Sequence, residues 1–112
     1  MVSDRMRTWK EARTKCNSLG AELVVIHSGT ENNFVGKMLP KIFNGWIGYH
    51  RKGDEKFHWV DGSMPTYTNW GYNEPNDAET GEDCTEMRTK SFVWNDLSCT
   101  KHKKAALCEK GK

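Results

Sequence analysis

Apolar residues in the first part of the chain recur at the spacing of an α-helix. Thr8 and Glu11 form a capping-box pair, in which each side chain serves the other's backbone N–H at a helix start. The apolar positions that follow lie three or four residues apart and stop at a glycine: Trp9, Ala12, Cys16, Leu19 and then Gly20. This pattern predicts a first helix with Cys16 on its buried face.

A second helix is predicted after a short apolar run. Residues 23–26 are all apolar and indicate a buried strand or extended segment. Ser28 and Glu31 repeat the capping pattern, and Pro40 ends the segment. The apolar positions between them are Phe34, Val35, Met38 and Leu39. We therefore expect two amphipathic helices before residue 40.

Short strands are predicted from Gly45 onwards. Residues 46–49 and the alternating segment 57–59 flank the turn-forming sequence Lys52-Gly53-Asp54, which is typical of a hairpin. Two further strands are expected at residues 91–94 and 105–109.

The segment between Trp70 and Cys84 is too polar for a helix or a core strand. It is rich in Asn, Asp, Glu, Gly and Pro and has almost no aliphatic residue. Long loops without regular structure in small domains are usually functional. We therefore expect the functional site here.

Composition limits the classes of partner. At 112 residues the chain has room for one domain, 1–112, whose five Trp, four Phe and three Tyr can form an aromatic core. The 17 basic and 15 acidic residues are balanced and spread out, which argues against nucleic acid as a partner. No apolar run approaches the length of a membrane span, so no membrane insertion is expected.

The four cysteines indicate an oxidising compartment. They do not form the CxxC pairs of a structural zinc site, and an even number in a small chain favours two disulfides. Three pairings are formally open, and four reduced buried thiols remain an alternative. A secreted protein is the favoured interpretation; residues 1–20 are too charged for a signal peptide, so we expect any leader to be absent from this sequence.

Hard oxygen donors gather in and after the polar loop. They are Glu74, Asn76, Asp77, Glu82, Asp83, Asn95 and Asp96. Carboxylate and amide oxygens without His or Cys are the ligands that calcium prefers. An Asp- and Glu-rich loop can also be merely solvated. A cis bond at Pro75 would turn the two flanking side chains the same way, which favours the calcium site.

Several motifs together resemble the carbohydrate-recognition domain of C-type lectins. In chain order they are Trp46-Ile47-Gly48, Phe57-x-Trp59-x-Asp61-Gly62, Asn69-Trp70, Glu74-Pro75-Asn76, Glu82-Asp83-Cys84, Trp94-Asn95-Asp96, Cys99 and Cys108. The resemblance covers most of the chain. The departure is at the start, where only seven residues precede Thr8. We therefore expect the usual N-terminal strand to be lacking, either because the sequence is trimmed or because the domain is a minimal version. An exposed sheet edge would follow, on which two copies could pair.

The resemblance implies a fold, two disulfides and a calcium site. The implied fold is α+β, with two helices, small antiparallel sheets and a long calcium-binding loop region. The pairing would be Cys16–Cys108 and Cys84–Cys99. The implied Ca²⁺ ligands are Glu74, Asn76, Glu82, Asn95 and Asp96. An accessory calcium site would use Asp54, Asp77 and Asp83, but His50 stands where relatives have another acid, and a neutral imidazole is a poor calcium ligand.

The implied function is calcium-dependent binding of mannose-type sugars. Two neighbouring equatorial hydroxyls, such as the 3- and 4-hydroxyls of mannose, would replace water on the ion. Each would donate to a carboxylate of Glu74 or Glu82 and accept from an amide of Asn76 or Asn95. Family members with Gln-Pro-Asp at the first motif favour galactose. The expected partners are mannose-type glycans on microbial or cell surfaces, in innate immunity, with several copies for avidity.

Two other functions compete with this one. A glycosidase is disfavoured because every acid of the cluster is assigned to the ion, so no enzymatic activity is expected. A module that binds a glycosaminoglycan or another non-sugar ligand stays open because basic residues cluster near the C-terminus: Lys101, His102, Lys103, Lys104, Lys110 and Lys112. Such binding would survive a chelator and fall with salt.

Overall fold

The computed structural model describes residues 6–40, 43–51, 56–72, 74 and 83–110. The helices are α1 (Trp9–Ser18) and α2 (Gly29–Gly36). The strands are β1 (Ala21–Leu23), β2 (Gly45–Arg51), β3 (Phe57–Trp59), β4 (Cys84–Met87), β5 (Trp94–Leu97), β6 (Ala105–Ala106) and β7 (Cys108–Lys110). The predicted α+β fold with two helices and small, mainly antiparallel sheets is confirmed.

Both helices begin where their capping residues predict. At α1, Thr8 Oγ1 accepts from the Glu11 N–H while Glu11 Oε1 accepts from the Thr8 N–H at 3.0 Å, which completes the capping box. At α2, the Ser28 hydroxyl accepts from the Glu31 N–H, but the Glu31 carboxylate turns to the N–H of His27. Cys16 is fully buried on α1, as its spacing predicted.

The sheets bring the end of the chain back to its beginning. In the larger sheet the order is β3-β2-β4-β5, antiparallel throughout, and β6 pairs with β2 in parallel. The predicted hairpin of β2 and β3 is present; its turn residues 52–55 lie outside the described residues. The smaller sheet pairs β1 with β7. The chain ends therefore close around the larger sheet.

Large aromatic rings fill the core between α2 and the larger sheet. Trp59 and Trp94 are essentially inaccessible there, and Trp70 is half-buried against the same cluster. Trp46 is equally inaccessible but belongs to a second cluster, on the side of α1. The Trp94 indole donates to Asn32 Oδ1 at 2.8 Å, so its one polar atom is satisfied. Their role as core residues is confirmed, and they fix the position of β5.

Both disulfides of the resemblance are present. Cys16 and Cys108 join α1 to β7, and Cys84 and Cys99 join the start of β4 to the residues after β5. The first lies in a second core cluster with Trp9 and Trp46. The second holds together the two strands that carry the candidate site.

Three sequence predictions are wrong in detail. A strand at residues 91–94 is replaced by a turn, because Lys90 and Phe92 adopt φ values of 74° and 63°, and β5 begins only at Trp94. The segment 105–109 divides into β6 and β7, since its two halves pair with different strands. Phe34 is 68% exposed and does not belong to the buried face of α2, which ends at Gly36.

Candidate functional site

The loop that follows Trp70 is held against the start of β5. The Trp94 N–H donates to Asn69 O at 2.9 Å, and the Gly71 N–H donates to Trp94 O at 2.9 Å. The Glu74 N–H then donates to Gly71 O at 3.0 Å, closing a turn. Glu74 is half-buried, and its backbone is linked through Gly71 to Trp94, the first residue of β5.

The other end of the loop returns at the opposite end of β5. Strand β4 pairs with β5 in the register Thr85 to Asp96 and Glu86 to Asn95. Asp83 directly precedes β4, and its carbonyl accepts from the Arg51 N–H at 2.8 Å. Glu74 and Asp83 therefore bracket the strand that carries Asn95 and Asp96.

Asp96 is a buried carboxylate facing a cation. Its side chain is inaccessible, and its Oδ2 lies 3.8 Å from a terminal nitrogen of Arg51. The Arg51 guanidinium also sits 4.7 Å from the centre of the Phe57 ring. A buried carboxylate is costly unless positive charge compensates it, so this position attracts cations.

The side chain of Asn95 has its partner on the neighbouring strand β4. Neighbouring residues of a strand point to opposite faces, and Asn95 lies opposite Glu86, whereas Asp96 lies opposite Thr85. The amide nitrogen of Asn95 donates to Glu86 Oε2 at 3.1 Å. The structure thus gives the two side chains separate partners, Glu86 for Asn95 and Arg51 for Asp96.

The remaining predicted ligands fall in the segments 52–55 and 75–82. Asn76 and Glu82 of the principal site, and Asp54 and Asp77 of the accessory site, lie outside the described residues. The described ranges contain no group of three or more His, Cys, Asp or Glu residues that could hold a metal ion. The complete ligand set therefore stays a prediction.

The ring of His50 packs against α1. Its ring lies 4.5 Å from the ring of Trp9, with an angle of 30° between the planes. It also pairs with His58 of β3 through the backbone. This packing gives His50 a structural role beside the accessory site predicted from Asp83 and its loop neighbours.

Two residues close to the site did not follow from the sequence motifs. Glu86 is 2% exposed although it is charged, and Arg51 compensates Asp96. A signal for Glu86 was its position in a strand between Thr85 and Met87, both fully buried. For Arg51 the signal was weaker, since a charged residue at a strand end is ordinarily solvated.

We expect the exchange Arg51→Met to lower the free energy of unfolding by about 1 to 3 kcal/mol in chelator, because Asp96 would lose a cation while remaining buried. Chemical denaturation measures this change. The control Arg13→Met breaks an ion pair with Glu22 whose side chains are 36% and 29% exposed, and should cost less than about 1 kcal/mol. Equal losses in the two variants would contradict the assignment of Arg51 to Asp96.

Comparisons with known proteins identify the family. The family model described as the Lectin C-type domain matches residues 5–110. The chain belongs to the C-type lectin family. It is 40% identical over 104 residues to the low affinity immunoglobulin epsilon Fc receptor of Mus musculus, covering 92% of this chain and 31% of that protein.

Solved C-type lectin structures share the fold over almost the whole chain. The carbohydrate-recognition domain of cow CD23, determined in the presence of a GlcNAc2Man3 oligosaccharide, gives a TM-score of 0.85 at 32% identity over 99% of this chain and 86% of that one. Murine dendritic cell inhibitory receptor 2, in complex with N-glycan, gives 0.86 at 30% identity, covering 98% and 87%. The fold expected from the lectin motifs is therefore confirmed.

The C-type lectin domain described here spans about a third of the length of the first curated relatives it matches. Domains of this family are typically binding modules without enzymatic activity, and they usually bind Ca²⁺. Within the described residues, no helix is long and apolar enough to cross a membrane.

Proposed function

We propose that this C-type lectin domain binds mannose-type sugars through one calcium ion held by Glu74, Asn76, Glu82, Asn95 and Asp96. The observation that carries the proposal is the buried carboxylate of Asp96 on β5, with Glu74 held beside the start of the same strand. The donor set consists of carboxylate and amide oxygens, which fits calcium. One structural relative was determined in the presence of a GlcNAc2Man3 oligosaccharide and the other in complex with N-glycan, which supports a sugar as the ligand.

The chain's own residues would select the sugar by hydrogen bonding. Bound calcium would supply open coordination positions for two neighbouring hydroxyls. The carboxylates of Glu74 and Glu82 accept from those hydroxyls, and the amides of Asn76 and Asn95 donate to them. Because one ion and two hydroxyls form a small contact, we expect a dissociation constant near millimolar, about −4 kcal/mol.

Glycan binding measured with calcium and again with EDTA tests the proposal. Mannose and fucose glycans should be retained in calcium and released by EDTA. Retention of mannose in EDTA would contradict calcium-dependent binding. If no glycan binds in the presence of calcium, the assignment of a sugar as the ligand is contradicted.

The paired exchange Glu74→Gln and Asn76→Asp should move the preference from mannose towards galactose by about tenfold or more, about 1.4 kcal/mol. The two substitutions reverse the positions of acid and amide but keep the number of carboxylates the same. The hydrogen-bond donor and acceptor for the sugar hydroxyls therefore change places, whereas the total charge of the calcium ligands is unchanged. Competition by monosaccharides measures the preference. Each single exchange is the control, because it changes the number of carboxylates. An unchanged mannose preference in the paired variant would contradict the proposed contacts.

The basic residues near the C-terminus support a glycosaminoglycan less well. Arg7 pairs with Lys104 through both backbone groups, which extends the basic run, and Lys101 and Lys103 are exposed. Yet Lys104 Nζ lies 3.4 Å from the buried Glu86 carboxylate. The pKa of Glu11 is lowered, mainly by the Thr8 N–H and further by the charges of Lys103 and Arg7, so this acid stays ionised among them. Heparin retained in EDTA but lost in salt would favour this function instead.

The setting of the domain follows from the same proposal. We place it outside the cell, where both disulfides are stable and surface glycans are accessible. Weak single sites would require several copies for useful avidity. Binding without cleavage is expected, and release of reducing sugar from oligomannose would show an enzyme instead.

A further inference from the structure

We propose that Glu86 is a positioning residue that fixes the orientation of the Asn95 amide, so that Asn95 presents its carbonyl oxygen to calcium. The inference rests on the proposed function and deepens it. Glu86 belongs to none of the lectin motifs described above, and it does not itself contact the ion in this proposal. It acts through Asn95.

The contact between the two side chains is buried and direct. Glu86 on β4 lies opposite Asn95 on β5, and the two residues are 2% and 7% exposed. Glu86 Oε2 accepts from Asn95 Nδ2 at 3.1 Å. No group in the described part of the chain donates to the other amide atom, Asn95 Oδ1. That oxygen is therefore the atom available for a cation.

Every neighbour of Glu86 given by the structure is a donor. Its Oε1 accepts from Asn44 Nδ2 at 3.0 Å and lies 3.4 Å from Lys104 Nζ, while Oε2 lies 3.8 Å from Arg88 Nε. An ionised carboxylate can only accept hydrogen bonds, so each oxygen of Glu86 matches the donor groups around it. Asn44 is in turn fixed, because its Oδ1 accepts from the Thr89 N–H at 2.8 Å.

The acceptor-only character of Glu86 decides how Asn95 is turned. An amide has a donor end and an acceptor end of nearly the same shape, and its orientation is set by its partners. Because its partner is a carboxylate, Asn95 must direct its amide nitrogen towards Glu86. One N–H of this amide donates to Glu86, and its other N–H remains available for a sugar hydroxyl. The reverse orientation would direct N–H groups at the ion and abolish coordination.

The exchange Glu86→Gln tests this with almost no change in shape. Asn44 donates to Oε1 of residue 86, and the Lys104 ammonium lies 3.4 Å from the same atom. Both groups favour the new carbonyl oxygen at that position, so the new NH₂ group faces Asn95. Asn95 must then turn its oxygen inward and lose its calcium contact. We expect calcium affinity, measured by isothermal titration calorimetry, to fall about 10- to 100-fold.

A second exchange should restore binding. In Glu86→Gln combined with Asn95→Asp, the new carboxylate can accept from the glutamine with one oxygen and bind calcium with the other. We expect this double variant to regain calcium affinity to within about tenfold of the unmodified protein. Asn95→Asp alone places two buried carboxylates opposite each other and should bind calcium more weakly than the double variant.

Two controls separate positioning from general stability. Lys104→Met removes a charge beside Glu86 but leaves the carboxylate as acceptor, so calcium affinity should change by less than about threefold. Melting temperatures in EDTA report the fold of each variant. NMR hydrogen exchange of the Asn95 side-chain amide in the unmodified protein needs no variant, and slow exchange is expected from a hydrogen bond to buried Glu86.

The outcomes distinguish this inference from the proposed function. An unmodified protein that binds no calcium overturns the proposed function, and this inference with it. Calcium binding that Glu86→Gln leaves unchanged overturns only the positioning role. The same holds if affinity falls but Asn95→Asp fails to restore it, or if the Asn95 amide exchanges as fast as an exposed one.

Discussion

Replacing Cys16 and Cys108 together by alanine should lower the free energy of unfolding by about 4 to 5 kcal/mol. The disulfide closes a sequence separation of 92 residues, so its loss frees most of the chain in the unfolded state. Both residues are also buried in the cluster around Trp9 and Trp46, where smaller side chains leave space. Because small domains are stable by only about 5 to 15 kcal/mol, this variant should be partly unfolded at 37 °C. Urea denaturation measures the change.

The second disulfide supplies the matched control. Cys84 and Cys99 are separated by only 15 residues, so their replacement should cost less, about 3 kcal/mol. This pair, however, ties the start of β4 to the residues just after β5, next to the candidate site. We therefore expect the shorter disulfide to affect calcium affinity more and stability less. The opposite ranking in stability would contradict the entropic origin of the larger effect.

Local features of the fold were predictable because their causes lie a few residues apart. The start of α1 follows from Thr8 and Glu11, which satisfy each other's backbone groups. The pairing of β2 with β3 follows from alternating residues around a turn. The disulfide pairing, in contrast, came with the family resemblance, since three connectivities were open from the sequence alone.

The strand boundary before Trp94 was not predictable from residue types. Lys90 and Phe92 are not residues that favour positive φ, yet both adopt it, and the chain turns there. The Phe92 carbonyl accepts from Asn32 and from Asn69, which lie far away in sequence. Such long-range bonds hold a backbone conformation that a local pattern does not encode.

The candidate site was predictable as a region but not as a geometry. The motif Trp94-Asn95-Asp96 suggests two neighbouring ligands. In the structure the alternation of β5 gives each its own charged partner, Glu86 or Arg51. Both partners come from other strands, so no motif around residue 95 contains them. Which charged groups lie beside the site is therefore decided by how the strands pair.

Asp96→Asn should weaken calcium binding at least about 100-fold, or about 2.7 kcal/mol, and abolish glycan binding. The exchange keeps the shape of the side chain but removes the one carboxylate on β5, and calcium affinity depends on ligand charge. Calorimetry with calcium, and glycan retention in its presence, measure the loss. Asp61→Asn is the control: Asp61 accepts from Ser63 at an exposed turn, so calcium affinity should not change. Full calcium affinity in Asp96→Asn would exclude Asp96 as a ligand.

Combining Asp96→Asn with Arg51→Met separates the two roles of this carboxylate. Removing either partner alone leaves the other in a largely buried position, whereas removing both can be nearly neutral. In chelator the double variant should therefore be more stable than the sum of the single losses predicts, by about 1 kcal/mol or more. Its calcium binding should remain as weak as in Asp96→Asn, because the ligand is still missing. Additive stability losses would show that Arg51 does not compensate Asp96, and recovered calcium binding would show that Asp96 acts only through Arg51.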